Sequence, residues 1–334
     1  MAAGRAPGRA SGNVRDLRIL LVVNAFASSV TARNTVMIHR ALSQGHDVEV
    51  VETNRRGHAT RFAQDAARRG VEIVIAFGGD GTLNEVATGV AETSTALGVL
   101  PGGSTNVFAR TLGLANDPVA AVAQLCDGIV GARIEPIGLG IVNGRYFCFH
   151  TGVGFDAAVV ALVERHASFK RWLGHPLFIY AGLRTWLSDY DRTTPHFAVR
   201  GGTHPGAGDH GAGDFRLDDG YFTVVLNTNP YTYLGNRPLD LSPAATLERG
   251  LVAITFQTMN VSAILGSLAG ALRGGGVTPS AHLDVRTDLS HITITSDTPF
   301  PYQLDGDFLG TTRALQFSHV PNAVRIVRPA PPPR

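Results

Sequence analysis

Apolar positions along this chain of 334 residues fall into two patterns. In the first, continuous apolar runs alternate with stretches of helical spacing. "RILLVVN" (Arg18–Asn24) is the first such run and predicts a strand buried on both faces. "TVMIHRAL" (Thr35–Leu42) has helical spacing, and "DVEVVET" (Asp47–Thr53) alternates as a second strand would. "ATRFAQDAARRG" has helix-forming composition and ends at Gly70, a residue suited to the position just past a helix. "VEIVIAF" (Val71–Phe77) predicts a third strand and "ALGVLP" (Ala96–Pro101) a fourth, each followed by a glycine-rich loop and a helix. Strands alternating with helices imply a parallel sheet covered by helices on both faces.

Near Arg133 the pattern changes. Short strand-like runs dominate to about Val327: "RYFCFHTGV", "HFAVRG", "YFTVVLNTN", "LVAITFQT", "LDVRTD", "HITITSD" and "AVRIVR". Helical stretches interrupt them at Ala157–Leu187 and Val261–Leu272. This half reads as an antiparallel β-sandwich. Gly201–Phe215 is a glycine-rich loop, read as a hairpin tip or insertion without chemistry. The expected organisation is a disordered tail (1–16), an α/β domain (17–142), a β-sandwich domain (143–328) and a second tail (329–334).

Composition narrows the function. An apolar fraction of 44% is ordinary for a globular core. A formal charge of +2, with no Arg/Lys block, gives no case for a nucleic-acid partner. Lys170 is the only lysine, so the Gly-Lys-Ser/Thr step of a P-loop is absent. A phosphate clamp must therefore use arginine, backbone N–H groups, Lys170 or a metal. Cys126 and Cys148 sit in apolar surroundings and are expected to be free, buried thiols. No run approaches the roughly 18 apolar residues of a spanning helix, and the first 13 residues lack a signal-peptide core. The chain is thus expected to be cytoplasmic, at most peripheral to the inner face of the membrane; a homodimer is left open. Phe169–Leu187 reads as a core helix with a basic end, a membrane-contacting helix being the alternative. Val261–Leu272 is expected to pack in the core. The histidines show no metal-ligand spacing.

The chemistry concentrates in "IAFGGDGTLNEVATG" (Ile75–Gly89). A strand runs into Gly78, Gly79 and Gly81, which permit a tight turn. Thr82 and Glu85 have the spacing of a capping box, and Leu83, Val86, Ala87 and Val90 form one apolar helix face. A helix N-terminus after a glycine turn binds phosphate. "PGGSTN" (Pro101–Asn106) repeats the arrangement, with Ser104 or Thr105 as the cap. Both loops, with Asn24 and Thr53, would line one crevice at the carboxyl ends of parallel strands. Asp80 is an anion inside such a loop, and a magnesium ion accompanying the phosphates would explain it.

"GGDGTLNEV" together with "LPGGSTNVFAR" resembles the catalytic domain of the diacylglycerol kinase and sphingosine kinase family, and NAD kinases and phosphofructokinases share a related GGDG loop. "GVGFDA" (Gly152–Ala157), "DDGYFTVVL" (Asp218–Leu226) and "LDGD" (Leu304–Asp307) follow in the family's order, so the resemblance covers about Leu17 to Val327. It implies a two-domain lipid-kinase-like fold: an N-terminal Rossmann-like parallel α/β domain and a C-terminal antiparallel β-sandwich, with the nucleotide site in the cleft between them. The last segment commonly returns to the first domain. The implied activity is ATP-dependent phosphorylation of a lipid hydroxyl, with ATP and Mg2+ as cofactors and diacylglycerol as the first candidate acceptor.

Carried over by motif, the nucleotide site comprises Asn24, Thr53, Gly78, Gly79, Asp80, Gly81, Thr82, Leu83, Asn84, Gly103, Ser104, Thr105 and Asn106. A structural magnesium would sit on Asp219 and the carbonyls of Arg216 and Tyr221. Asp307, or Asp305 beside it, is the candidate base for the acceptor hydroxyl, with Asp80 linked to the metal. Asp156 is either a helix cap or a cleft carboxylate. The sequence departs from the family at Asn24-Ala25 (usually Asn-Pro), at Asn106-Val107 (often Asn-Asp) and at Asp307 (usually Glu). Sphingosine or ceramide, NAD or a soluble polyol as acceptor, and a non-enzymatic nucleotide-binding module, are the competing readings.

Overall fold

The continuous apolar runs form the centre of a parallel sheet. In the computed structural model, which describes residues 16–165, 191, 193–203 and 214–330, β1 (Arg18–Val23), β3 (Ile73–Gly78) and β4 (Ala96–Pro101) are buried along almost their whole length. The alternating run forms β2 (Asp47–Glu52), the exposed edge. These four strands pair in parallel in the order β4-β3-β1-β2. Ile19 to Val23 of β1 are each at most 1% exposed. Each such burial stabilises the fold by about 1.5–3 kcal/mol. The connections are helical: α1 (Ala32–Leu42), α2 (His58–Arg68), α3 (Asp80–Val90), α4 (Val107–Thr111) and α5 (Pro118–Val130).

The rest of the chain is mainly antiparallel. It comprises β5 (Ile134–Val142), β6 (Arg145–Phe147), β7 (His150–Gly154), α6 (Phe155–Arg165), β8 (Phe197–Gly202), β9 (Phe215–Gly220), β10 (Phe222–Leu226), β11 (Thr232–Leu234), β12 (Arg237–Leu239), β13 (Leu251–Phe256), α7 (Val261–Leu272), β14 (Leu283–Leu289), β15 (His291–Leu304) and β16 (Asp307–Val327). The register of β15 shifts between Thr295 and Phe300. Before the shift β15 pairs with β8, and after it with β7. One bent strand thereby serves two layers of a sandwich. Val142, Phe147, Val199, Ile292 and Phe317 belong to the core between the layers. Side chains alternate along β10 and β13, so Phe222, Ile254 and Phe256 enter a separate cluster on the other face.

β16 joins the two halves. It pairs antiparallel with β15 and β5, and Arg325 and Ile326 then pair in parallel with Ala96 and Leu97 of β4. The result is one continuous 14-stranded sheet, ordered β14-β13-β10-β7-β15-β16-β4-β3-β1-β2 along its main path.

Three expectations need correction or limits. One face of α7 packs in the cluster of Phe222, Ile254 and Phe256 through Ala271, Ile264 and Leu272, while Val261, Leu265 and Leu268 are exposed, so the expected core packing holds for that face alone. Only the end of β16 is legible as a strand in the sequence, and β5 and β9 are not. The stretch Phe169–Leu187, residues 1–15, 204–213 of the glycine-rich loop and 331–334 lie outside the described residues. Cys126 and Cys148 are free thiols. Among the described residues no helix is long and apolar enough to cross a membrane.

Candidate active site

Gly78 closes β3, Gly79 is the N-cap of α3, and the helix already begins at Asp80. The N–H groups of Asp80, Gly81 and Thr82 therefore have no acceptor within the helix. Together with the helix dipole they make an anion site. The expected Thr82/Glu85 capping box is not formed, because Thr82 lies inside the helix. Its Oγ1 accepts from Asn24 Nδ2 at 2.9 Å. Glu85 instead accepts from Gly57 N at 2.8 Å and Ala59 N at 3.0 Å, capping the neighbouring α2. Leu83, Val86, Ala87 and Val90 are all buried, as their spacing requires.

The second loop packs on the first, backbone against backbone. Gly102 N donates to Gly78 O at 2.8 Å. A Cβ at Gly102 would stand 2.7 Å from Gly78 Cα, and one at Gly103 2.8 Å from Gly79 Cα, so side chains are excluded from this contact. Asn106 adopts a left-handed conformation; its Oδ1 accepts from Gly103 N, and its Nδ2 donates to Gly103 O and Asn116 Oδ1. The expected cap of α4 by Ser104 or Thr105 is not formed, because the N-cap position is Asn106. Asp80 caps α4 from the other loop: its carboxylate accepts from Val107 N at 3.1 Å and Phe108 N at 3.2 Å. Burial pushes the Asp80 carboxyl up, and these two N–H groups pull against it. A protein carboxylate thus fills the N-terminus of α4, and α3 alone presents its N-terminus to a ligand. Asn24 and Thr53 stand at the ends of β1 and β2, where their N–H groups donate to Phe77 O and Val23 O. All the expected nucleotide residues therefore lie along one edge of the parallel sheet.

An acidic turn from the other half meets this edge. Asp305 and Gly306 connect β15 to β16. Asp305 is 8% exposed and accepts four hydrogen bonds: from Cys148 N (2.7 Å), Phe149 N (3.0 Å), His150 N (3.0 Å) and Asn84 Nδ2 (2.8 Å). Burial pushes its carboxyl up to about 7, with the four donors pulling it down. Asn84 Nδ2 also donates to Tyr146 O at 3.0 Å. Asp305 and Asn84 therefore act as a latch between α3 and the sandwich. Asp307 has a different setting. Its side chain is 45% exposed and lies 3.1 Å from Arg56 Nη2, and a Cβ at Gly81 would stand 3.9 Å from its Oδ2. Asp307 therefore faces the first glycine loop. Arg56 is a site residue that sequence reasoning missed, although it stands three positions after Thr53 in "TNRRG".

The residues expected to hold a structural metal lie elsewhere. Asp219 is on the edge strand β9, where its Oδ1 accepts from Gln257 Nε2 at 2.6 Å, and the Arg216 side chain pairs with Asp218. Among the described residues no group of three His, Cys, Asp or Glu side chains could hold a metal. Magnesium demands near-octahedral oxygen ligands. The side chain offered here is one exposed carboxylate that already accepts from Gln257 Nε2, which leaves backbone carbonyls and water to complete such a set. Asp156 is not a helix cap: within the first turn of α6, its carboxylate accepts from Tyr231 Oη and Gln303 Nε2.

Residues 18–135 match the family model of the diacylglycerol kinase catalytic domain. The chain is 29% identical over 323 residues to a protein of Pseudomonas aeruginosa (strain UCBPP-PA14) named "Probable lipid kinase YegS-like", covering 96% of each. It is 40% identical over 112 residues to a diacylglycerol kinase of Bacillus subtilis (strain 168), covering 33% of this chain and 36% of that one. The crystal structure of a diacylglycerol kinase from Bacillus anthracis str. Sterne superimposes with a TM-score of 0.66 at 20% identity, covering 94% of this chain and 97% of that one. That likeness shows the fold.

Proposed function

We propose, from the match of residues 18–135 to the diacylglycerol kinase catalytic domain and from the kinase names of the similar proteins, that this phosphotransferase with an alcohol acceptor moves the γ-phosphate of ATP to the free hydroxyl of diacylglycerol, giving phosphatidic acid. The observation that carries the reading is the approach of Asp307 to Gly81, since it sets a carboxylate from one half over the phosphate loop of the other.

The phosphates rest on the N–H groups at the start of α3, supported by Asn24, Thr53 and residues 78–84 and 103–106. The acceptor hydroxyl gives its proton to Asp307 as its oxygen bonds to the γ-phosphorus, and the bond to the β-phosphate oxygen breaks to release ADP. Asp305 is not the base, because its oxygens are engaged by four N–H groups. Arg56, paired with Asp307, supplies positive charge beside the phosphates. Magnesium bound with the nucleotide supplies charge neutralisation on the phosphates. Asp80 is our candidate for its protein ligand, directly or through water, since each of its oxygens keeps a lone pair beyond the one used by α4.

Incubation with labelled ATP, magnesium and each of diacylglycerol, ceramide, sphingosine and NAD in mixed micelles tests the reading. Label in phosphatidic acid supports it. Transfer to NAD and to no lipid would refute it.

A further inference from the structure

The turn that carries Asp307 is held from a second side, by a chain of polar groups, partly buried at Tyr231 and Asp156 and fully buried at Gln303, that the mechanism above does not use. Tyr231 Oη donates to Asp156 Oδ1 at 2.5 Å. Gln303 Nε2 donates to Asp156 Oδ2 at 2.9 Å, and Gln303 Oε1 accepts from Gly306 N at 2.8 Å. Gly306 immediately precedes Asp307 and has a φ of +87°. Gln303 is fully buried on β15 and stands opposite Gly152 of β7. A Cβ at Gly152 would collide with both Asp156 Oδ2 and Gln303 Nε2, so the backbone there is cleared for this contact. The ring of Tyr231 packs on His150 at 4.1 Å between centroids, and His150 N is one of the donors that hold Asp305.

A buried amide in this position has a defined polarity. Its N–H side must face the carboxylate of Asp156, because a carboxylate only accepts. Its carbonyl side is thereby turned to Gly306 N. Asp156 thus fixes which way Gln303 points, and Gln303 fixes the backbone one residue before Asp307. Tyr231, from the segment ahead of β11, fixes Asp156.

We propose that Tyr231, Asp156 and Gln303 form a positioning relay that aims the Asp307 carboxylate, with Gln303 as its final link. The inference rests on Asp307 being the base. Misplacing a reacting group by about 1 Å costs up to 10²-fold in rate without altering the binding of a distant substrate part. The relay therefore acts on kcat and leaves the KM for ATP unchanged, because the phosphates rest on α3.

The test uses the full chain with ATP, magnesium and diacylglycerol micelles. Gln303→Met keeps the length of the side chain and removes both hydrogen bonds. Tyr231→Phe keeps the ring on His150 and removes only the hydroxyl. Gln303→Met is expected to lower kcat about tenfold with the KM for ATP within about twofold. Tyr231→Phe is expected to lower kcat about threefold, and the double variant to be no slower than Gln303→Met, since both changes cut one chain. A Gln303→Met enzyme with the kcat of the parent, or losses that multiply in the double variant, would overturn the relay. Should Gln303→Met fail to fold, Tyr231→Phe with an unchanged kcat overturns it alone. A parent chain that phosphorylates no acceptor removes the reading of Asp307 and the relay with it; an active parent with indifferent variants removes the relay only.

Discussion

Asp80 has one role in the fold and, on the proposed function, a second in transfer. Its carboxylate closes the N-terminus of α4, 27 and 28 residues away, and so ties the two glycine loops together. Asp80→Asn keeps the shape but turns an NH2 group toward one of these N–H groups. Loss of such a cap costs about 1 kcal/mol. We expect the variant to fold, to melt a few degrees lower and to lose most of its turnover in steady-state kinetics. A near-parental kcat would refute a role for Asp80 in transfer. His150 supports a prediction on pH. Burial lowers its pKa from the ordinary 6.5 to about 3, so the folded protein holds it neutral. The unfolded chain takes up that proton first as pH falls. The stabilisation is therefore complete above about pH 6.5 and is lost on going down toward pH 3, reaching about 2 kcal/mol by pH 5. Urea midpoints at neutral and acid pH should fall less steeply for His150→Gln than for the parent; parallel slopes would contradict it.

At the scale of elements, the close seat of the two loops depends on Gly102. A methyl group there would meet Gly78 Cα and N at 2.7 and 2.9 Å, both backbone atoms that cannot turn aside. Gly102→Ala should push the loops apart and raise the KM for ATP several-fold; an unchanged KM would show that the contact does not shape the site. The sequence made the loops legible because the strand runs, the glycines and the apolar stripe of α3 are local signals. It misassigned their caps. Thr82, Glu85 and Ser104 match local capping patterns, yet Glu85 caps α2 and Asp80 caps α4. Such partners are distant along the chain, and nothing in local spacing marks them. α7 was half legible: it carries no charged residue, but only the face with Ile264, Ala271 and Leu272 packs on a core cluster.

For the whole molecule, the two halves are one sheet, because β16 leaves the sandwich and ends against β4. This strand of 21 residues was legible only at its end, since Gly310 and Pro321 break its alternation. We retain a domain division at 142/143 as a proposal; it falls in the turn between β5 and β6, whereas the working contact lies between α3 and the 305–307 turn. That contact explains why the site could be named from motifs but not assembled from them: Arg56, Gly81, Asn84, Asp305 and Asp307 meet only in the fold. The most direct test of this account is the initial rate of phosphate transfer from ATP to diacylglycerol by the parent chain and by Asp307→Asn, with nucleotide affinity measured alongside. The account predicts that the parent makes phosphatidic acid, and that Asp307→Asn loses about 10²–10⁴-fold in kcat while its affinity for ATP stays within about twofold. An Asp307→Asn enzyme that keeps the parental kcat would contradict it.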